Sequence, residues 1–546
     1  MFYGIGVGLF SLIHDKPSQT AHPAFVFLIL IGAAVTTFIA HIWSLIFPIS
    51  SLLTFLLVLI GACGLGMAYS KNYIPTIRRE QIFLVLPILI LSLLSVLTET
   101  TNVDEAGYYL PTVRWMEAFP VTKGSALFIA RIGFNSGFHM LSAVFGFSDI
   151  ISGGRYELNG LFFLYFNVFF GSQLIQCLRA TSAPRISQWL WIAGLIFPFA
   201  WLTTSMDTDY LTIFGSLIII GWLLDAILNP NNTSDNRIIG YAIIIPFLTT
   251  VKIFSALLFL GLCFALVVRQ SSAKQFLKVS VILTITLLPW LIRNVLISGY
   301  LIFPLHYIDL FDLTWKVPYE MATASYRIIG EFAKVSIIRP DYLLSGIQDL
   351  PLADWVPIWV DIQRQQIIGW VTMLMLPGSL CLGIWHLITK RKNLLYRKRR
   401  LIFWWMLTAI VIFWYYNFPA IRFGWQWILT YFIFTLHLVF GDEKSKFAKP
   451  ILYGLSCCVI LSWTRLGYKS VSTFAKDNQV TNHTVEHKVY TTSTIDGIIM
   501  KRSIDTYCNG ITPPCMPSNN PYEITPIGDS VEQGFRLRKI SRKHQD

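Results

Sequence analysis

Two acids stand side by side at Asp104-Glu105, just after the apolar run 81–97 and at the head of the segment DEAGYYLPTVRWMEAFP. Carboxylates at the water edge of an apolar span suit a base, or a cation ligand, where a lipid-borne substrate meets water. The plain alternative is a hydrated loop that tolerates acids. A second acidic motif, Asp207-Thr208-Asp209 in SMDTDYL, lies between two further apolar runs. D-x-D offers hard oxygens to a divalent cation such as Mg2+ or Mn2+, of the kind that travels with pyrophosphate-bearing molecules. Without a cation, Asp207 and Asp209 are expected to lie apart from Asp104, capping the helix that begins near Tyr210. Against these acids stand five cations, Arg114, Arg131, Lys252, Arg293 and Arg422. Arg293 can present its planar fork to a phosphate, and the adjacent Asn294 can orient a sugar or phosphate oxygen. Arg131, followed by Asn135 in ARIGFNSGFHMLSAVFGF, can hold a phosphate or snorkel to the membrane edge. A cavity lined by both signs of charge suits a phosphate leaving group facing a general base.

The elements that must position these groups are membrane spans. Of the 546 residues 54% are apolar and only 13% are charged, about half the share of a soluble chain. Mean hydropathy is +0.57. Apolar segments at 24–42, 51–69, 81–97, 156–178, 188–205, 210–228, 238–250, 253–268, 277–294, 366–388, 401–416, 425–440 and 451–465 predict an all-α polytopic protein of about 13 spans. The net charge of +13 is not a nucleic-acid signature, because Lys and Arg concentrate in short links between spans. KNYIPTIRRE (71–80), RATSAPR (179–185), RQSSAK (269–274), KRKNLLYRKRR (390–400) and EKSKFAK (443–449) all fall on one side of the membrane, which is then the cytoplasmic side. The N-terminus is inside, and 98–155, 295–365 and the tail from about 466 are outside. The opening MFYGIGVGLFSLIHDKP lacks the basic start and cleavage site of a signal peptide and reads as a short inner or interfacial segment. The YYLPTVRWMEAF stretch carries Tyr109, Val113 and Met116 on one stripe, which predicts a short interfacial helix.

The chain divides into a transmembrane domain, 1–465, and a small extracytoplasmic domain, 466–546. Alternation in HTVEHKVYTTST and SVEQGFRLRKIS predicts strands, separated by turns at Asp496-Gly497 and Asn509-Gly510. Six cysteines lie in apolar spans and behave there as small hydrophobes. Cys508 and Cys515, in the polar tail around NGITPP, read as a disulfide, with two separate thiols as the alternative.

The layout resembles the GT-C superfamily of integral-membrane glycosyltransferases. The resembling elements are an acidic motif in the first large external loop, helices after it, and many short-linked spans. TTVKIFSALLFL is similar to the Lys-containing hairpin of such proteins, RNVLISGYLIFP to their Arg-Asn and Gly-to-Pro segment, and NFPAIRFGWQW to their Pro and Arg-Phe element. More narrowly, DEAGYYLPTVRWMEAFPVTKG with FNSGFHMLSAVFGF, and YCNGITPPCMPS in the tail, resemble a bacterial membrane family called the LIC_10190 family, over nearly the whole chain. Two spans precede the one leading into Asp104, where typical GT-C members have one. The GT-C resemblance implies a sugar donor linked to polyprenyl phosphate or diphosphate in the bacterial inner membrane. It implies that Asp104, with Glu105, activates an acceptor hydroxyl while Arg293 and Arg422 hold the lipid phosphate. In the oligosaccharyl-transferring branch the first-loop acid joins a later D-x-D around a divalent cation, and Asp104 with Asp207 and Asp209 fits that pattern.

Three other classes share parts of this layout. A polysaccharide polymerase or O-antigen ligase also has many spans and arginine-bearing loops, but does not need the Asp-Glu motif. A transporter of a lipid-linked substrate needs ionisable groups near the midplane, and the spans here are nearly free of acids. A non-catalytic scaffold would use the tail alone as its working surface. The residues name neither the sugar nor the acceptor, which can be glycan, lipid or protein. No Walker or G-x-G-x-x-G segment marks a cytoplasmic nucleotide site.

Overall fold

The structure, a computed structural model, describes all residues other than 14–23, 72–78, 98–101, 152–155, 157, 233, 336–349, 390–393, 441–447, 478–489, 496, 505–506, 509–510 and 539–546. Parts of the basic links 71–80, 390–400 and 443–449, the first half of the strand expected at 483–494, and the Asn509-Gly510 turn lie outside the described residues.

Each of the thirteen apolar segments contains helix. In chain order the helices are α1 (Phe2–Ile13), α2 (Phe25–Trp43), α3 (Ser51–Ser70), α4 (Arg79–Val96), α5 (Leu110–Ala118), α6 (Gly137–Gly146), α7 (Leu158–Arg179), α8 (Ile186–Gly194) and α9 (Asp209–Leu228). They continue as α10 (Asp235–Val251), α11 (Leu258–Val268), α12 (Ala273–Ser298), α13 (Tyr319–Val335), α14 (Leu352–Gln363), α15 (Ile367–Thr389), α16 (Leu394–Asn417), α17 (Ile421–Phe440) and α18 (Ala448–Asp477). Among the described residues nine of these are long and apolar enough to cross a membrane, which marks the chain as a membrane protein. The segment 188–205 is helical only to Gly194. Pro198 lacks the N–H that would continue the ladder, and the chain resumes as a 3-10 turn, Ala200–Thr204.

The bundle is built around α9, which packs against α7, α8, α10, α11 and α17 and is 83% buried, whereas α18 is only 11% buried. A helix apolar on all sides belongs at such a centre. On α3, α4, α12, α15 and α18, large apolar side chains point outward, among them Phe55, Phe83, Leu277, Leu374 and Leu461. Bare apolar faces of this extent suit contact with lipid.

The opening segment is not laid on a surface. α1 is wedged against α2 and α3, with Phe2, Ile5, Val7 and Phe10 buried. Glycines permit the approach. A Cβ on Gly32 would meet the Phe2 carbonyl oxygen at 1.8 Å, and one on Gly6 would meet the Leu28 carbonyl oxygen at 1.9 Å. Small residues that let backbones touch are the usual adhesive between helices in lipid, where apolar burial provides no driving force. Gly32→Leu is therefore expected to lose about 1–3 kcal/mol or more of stability through overpacking. Gly66→Leu on α3, where a Cβ meets nothing within 4 Å, is the matched control. Melting of the purified variants checks this, and equal melting temperatures would refute the packing argument.

α5 is not an interfacial helix. Pro111, Thr112, Val113, Trp115 and Met116 are all buried, and α5 packs on α6. The sequence stripe was real, but the opposite side is covered by protein too. ARIGFNSGFHMLSAVFGF likewise dips into protein, as a 3-10 turn (Ala130–Phe134), a left-handed Asn135 and the buried α6, capped by the Ser136 hydroxyl accepting from the Phe138 N–H.

Helix α18 runs to Asp477, past the boundary at 465 expected for the tail. The tail is β-rich as expected. Strands β1 (Tyr490–Ile495) and β2 (Ile498–Ser503) form an antiparallel hairpin that turns at Gly497, and β2 pairs in parallel with β3 (Cys515–Met516). β4 (Ile524–Pro526) pairs antiparallel with β5 (Phe535–Leu537). The Cys508–Cys515 disulfide is formed, with Cα atoms 6.0 Å apart, and the other six cysteines are free thiols in helices. The tail does not stand alone. Met500, Ile511, Ile524 and Phe535 share one apolar core with Trp115, Phe128, Ile132, Ile297 and Tyr300. The Asn520 amide donates to the Leu127 and Phe128 carbonyls at 2.9 and 2.8 Å.

Candidate active site

Four chain segments, with Arg131 reaching in from a fifth, the turn Ala130–Phe134, bring the two acidic motifs and three of the cations to one place. The first is Asn102–Tyr109. Asp104 lies in helical backbone, and Glu105–Tyr109 forms a π-helical turn, a wide coil often found where side chains must be re-aimed at a functional site. The second is 205–209, directly before the central helix α9. The third is Lys252, where the backbone becomes extended between α10 and the turn Ile253–Leu257. The fourth is the first turn of α17, which carries Arg422.

Asp207 and Asp209 form the floor, with side chains 0% and 3% exposed. The Asp207 carboxylate accepts from the Asp209 N–H at 2.7 Å and from the Asn102 amide at 3.3 Å. The Asp207 bond to the first N–H of α9 keeps part of the helix-capping expectation, but the two aspartates share one cluster with Asp104 instead of lying apart from it, because Lys252 and Arg422 offset their charges. Asp209 pairs with the Lys252 ammonium and, at 3.4 Å, with Nε of Arg422. Arg422 also comes within 4.0 Å of Asp207. Burial first, and the neighbouring Asp209 charge second, push the Asp207 carboxyl well above the ordinary carboxylate range, while Arg422 and Lys252 pull it back.

The rim is more open. Asp104, Lys252, Arg422 and Arg131 have side chains 21%, 23%, 28% and 32% exposed. Arg131 reaches Asp104 at 2.7 Å, and its guanidinium lies 5.1 Å from the centre of the Tyr108 ring. Asp104 is also within electrostatic reach of Arg422. Tyr109 is buried among the charges. Burial, and after it Asp207, hold its phenol far above the usual range, so it stays neutral.

Glu105 does different work from its neighbour. It is buried, and its carboxylate accepts from the Met206 N–H at 2.9 Å, fixing the loop that carries D-x-D. Two asparagines that sequence reading passed over complete this loop. Asn102 donates to the Ser205 hydroxyl at 3.2 Å as well as to Asp207, so it ties the two acidic segments together. Asn159, inside α7, donates to the carbonyls of Leu202, Ser205 and Asp207. An amide inside an apolar run is costly unless bonded, and that was the available signal.

The remaining candidates lie in two neighbouring groups. Arg293 is buried and donates to Asn135 Oδ1 at 3.2 Å and to the Ser44 hydroxyl at 2.6 Å. Asn135 in turn donates to Asn294 Oδ1 at 2.9 Å, and Asn294 donates to the Leu301 carbonyl. The structure therefore places Arg293, Asn135 and Asn294 in a neutral nest and not among the acids. Arg114 pairs with Glu117 at 3.4 Å and lies 5.7 Å from the centre of the Tyr156 ring, and Tyr156 donates to Glu117. Burial pushes the Glu117 carboxyl up to about 7, with Arg114 acting in the opposite direction. One short segment joins the charged cluster to the neutral nest, since Arg131 binds Asp104, Asn135 binds Arg293, and the Ser136 hydroxyl donates to the Val251 carbonyl next to Lys252.

The residues also decide how a cation would fit. The oxygens of Asp207 and Asp209 are directed at Lys252, Arg422, Asn102 and a backbone N–H. Among the described residues, no three His, Cys, Asp or Glu side chains gather as a metal-binding group. A cation here would have to displace two protein cations from the same carboxylates.

No curated protein and no solved structure matches the chain. Residues 1–429 match the family described as a domain of unknown function, DUF8201, and since this range covers most of the chain and every residue of the charged cluster, the chain belongs to that family.

Proposed function

We propose that the chain is a membrane glycosyltransferase that moves a sugar from a polyprenyl-phosphate or polyprenyl-diphosphate donor to an extracytoplasmic acceptor. The observation that carries this reading is the division of one cluster into a buried acidic floor and a half-open rim of Arg131, Lys252, Arg422 and Asp104. The rim offers cations to a departing phosphate beside a carboxylate that can take a proton. The acceptor hydroxyl oxygen attacks the anomeric carbon, and its proton passes to Asp104. The bond from that carbon to the phosphate oxygen breaks, and the phosphate leaves with the electron pair into the field of Arg422 and Lys252. Arg131 positions Asp104, and Glu105 positions the D-x-D loop. Arg293 serves the site through Asn135, at one remove.

The topology in this reading has thirteen crossings in a bacterial inner membrane, with the N-terminus cytoplasmic and the β-rich tail outside. Its support is the meeting of the loops at 104, 207, 252 and 422, which all fall on the outer side in that count. Arg185 with Asp225 and Arg269 with Asp235 pair at the opposite ends of the helices. Residues 98–155 and 295–365 are then the large external loops.

The reaction in this reading is independent of divalent cations, because Lys252 and Arg422 already neutralise Asp207 and Asp209. Purified protein should release polyprenyl phosphate from a polyprenyl-phosphate sugar equally well in excess EDTA. Complete loss that Mg2+ or Mn2+ reverses would overturn the metal-free mechanism, and no release from any such donor would overturn the transferase reading itself.

A further inference from the structure

Arg293 poses a problem that the transferase reading does not solve. It lies in α12 with the residue 3% exposed, and among the described residues no carboxylate comes within ion-pair distance. Its two hydrogen bonds go to neutral oxygens, Asn135 Oδ1 and Ser44 Oγ. A guanidinium has five N–H groups, so three remain. His41, buried within electrostatic reach, has neither ring nitrogen hydrogen-bonded and can only be neutral or cationic. A charge taken out of water without a counter-charge is costly, so buried charges are paired.

Beside Arg293 there is a small cavity of about 20 Å³, lined by Thr112, Thr122, Ser125 and Arg293 with Trp115 and Ile132 among the apolar walls. That volume admits one water-sized particle. The hydroxyls of Thr112 and Thr122 already donate to the Tyr108 and Pro120 carbonyls. The lining groups with protons to give are then the guanidinium and the Ser125 hydroxyl. A monatomic anion is the smallest group that can meet those protons within that volume.

We propose that this cavity is a chloride site, in which a monatomic anion neutralises Arg293. The anion locks α12 to Ser44 at the end of α2 and to Asn135, and so holds the segment whose other end presents Arg131 to Asp104. The inference does not depend on the transferase reading.

The test is melting of the full-length protein in detergent, followed by tryptophan fluorescence, in sodium chloride, bromide, gluconate and sulfate at equal ionic strength. Chloride and bromide are expected to raise the melting temperature by a few degrees with saturation, and gluconate and sulfate are not. Arg293→Gln should remove the difference between chloride and gluconate. Identical melting of the parent in chloride and gluconate would overturn the proposal. So would a full chloride effect in folded Arg293→Gln, or an equal effect of sulfate. If Arg293→Gln does not fold, anomalous scattering from bromide-soaked crystals of the parent decides. A bromide peak at the guanidinium supports the site, and an ordered water alone overturns it.

Discussion

Asp104→Asn is expected to lower sugar transfer by about 10²–10⁴-fold, the usual contribution of a general base, with little change in donor affinity. The amide keeps the shape and can still accept from Arg131, but it cannot take the acceptor's proton. Asp104 is the rim acid, one-fifth exposed, so a substituted side chain adapts and the fold survives. Glu105→Gln makes the informative comparison. Glu105 is buried against the Met206 N–H, and Gln retains an oxygen to accept that bond. Its expected loss is smaller and falls on the stability of the D-x-D loop. Measured turnover of a polyprenyl-phosphate sugar, with melting of each variant alongside, separates the two roles. Wild-type turnover in a folded Asp104→Asn protein would reject Asp104 as the base.

Arg422→Gln should damage both stability and chemistry. It leaves two buried carboxylates facing Lys252 alone, and breaking a buried ion cluster from one side typically costs about 3–5 kcal/mol. The phosphate also loses its fork. Arg422→Lys restores the charge but not the paired donors, so it should recover stability more than activity. Adding Asp207→Asn to Arg422→Gln removes the stranded charge, and the double variant should melt above the single one while staying inactive. A single variant that melts with the parent would show that Arg422 and the two aspartates are not coupled. A double variant that regains activity would move the phosphate contact elsewhere.

Charged residues that interrupt apolar runs were the legible part of this site. Their cost in a membrane makes each of them conspicuous, and Asp104, Asp207, Asp209, Lys252 and Arg422 all proved to be neighbours. What spacing could not reveal was their grouping. Nothing in WLIRNVLISGYLIFP distinguishes an arginine that faces carboxylates from one that faces Ser44 and Asn135. The difference lies in which segments pack against α12, here the end of α2 with Ser44 and the turn before Asn135. Asp104 and Glu105 are adjacent in sequence, yet the π-helical turn sends one to the rim and the other under the loop. For the fold, apolar runs located the helices well. The stripe on α5 misplaced that helix, because a stripe of apolar residues shows that one face is covered and says nothing of the other. The glycines of MFYGIGVGLF were the unread sign that α1 is packed between helices.

The seating of the tail has a consequence for how the protein is made. Asn520 holds the carbonyl of Leu127 across 393 residues of chain. At the usual pace of synthesis, about 5–20 residues per second, roughly 20–80 s pass between the emergence of these two partners. Throughout that interval the strip from Trp115 to Ile132, which bears Arg131, has its acidic partner but lacks the Phe535 and Met500 side chains that complete its apolar core. Maturation is therefore timed by the strands that follow α18. A chain cut short after α18 would hold every ion pair of the cluster and still expose an unfinished core, so cellular quality control would meet it as an unassembled intermediate.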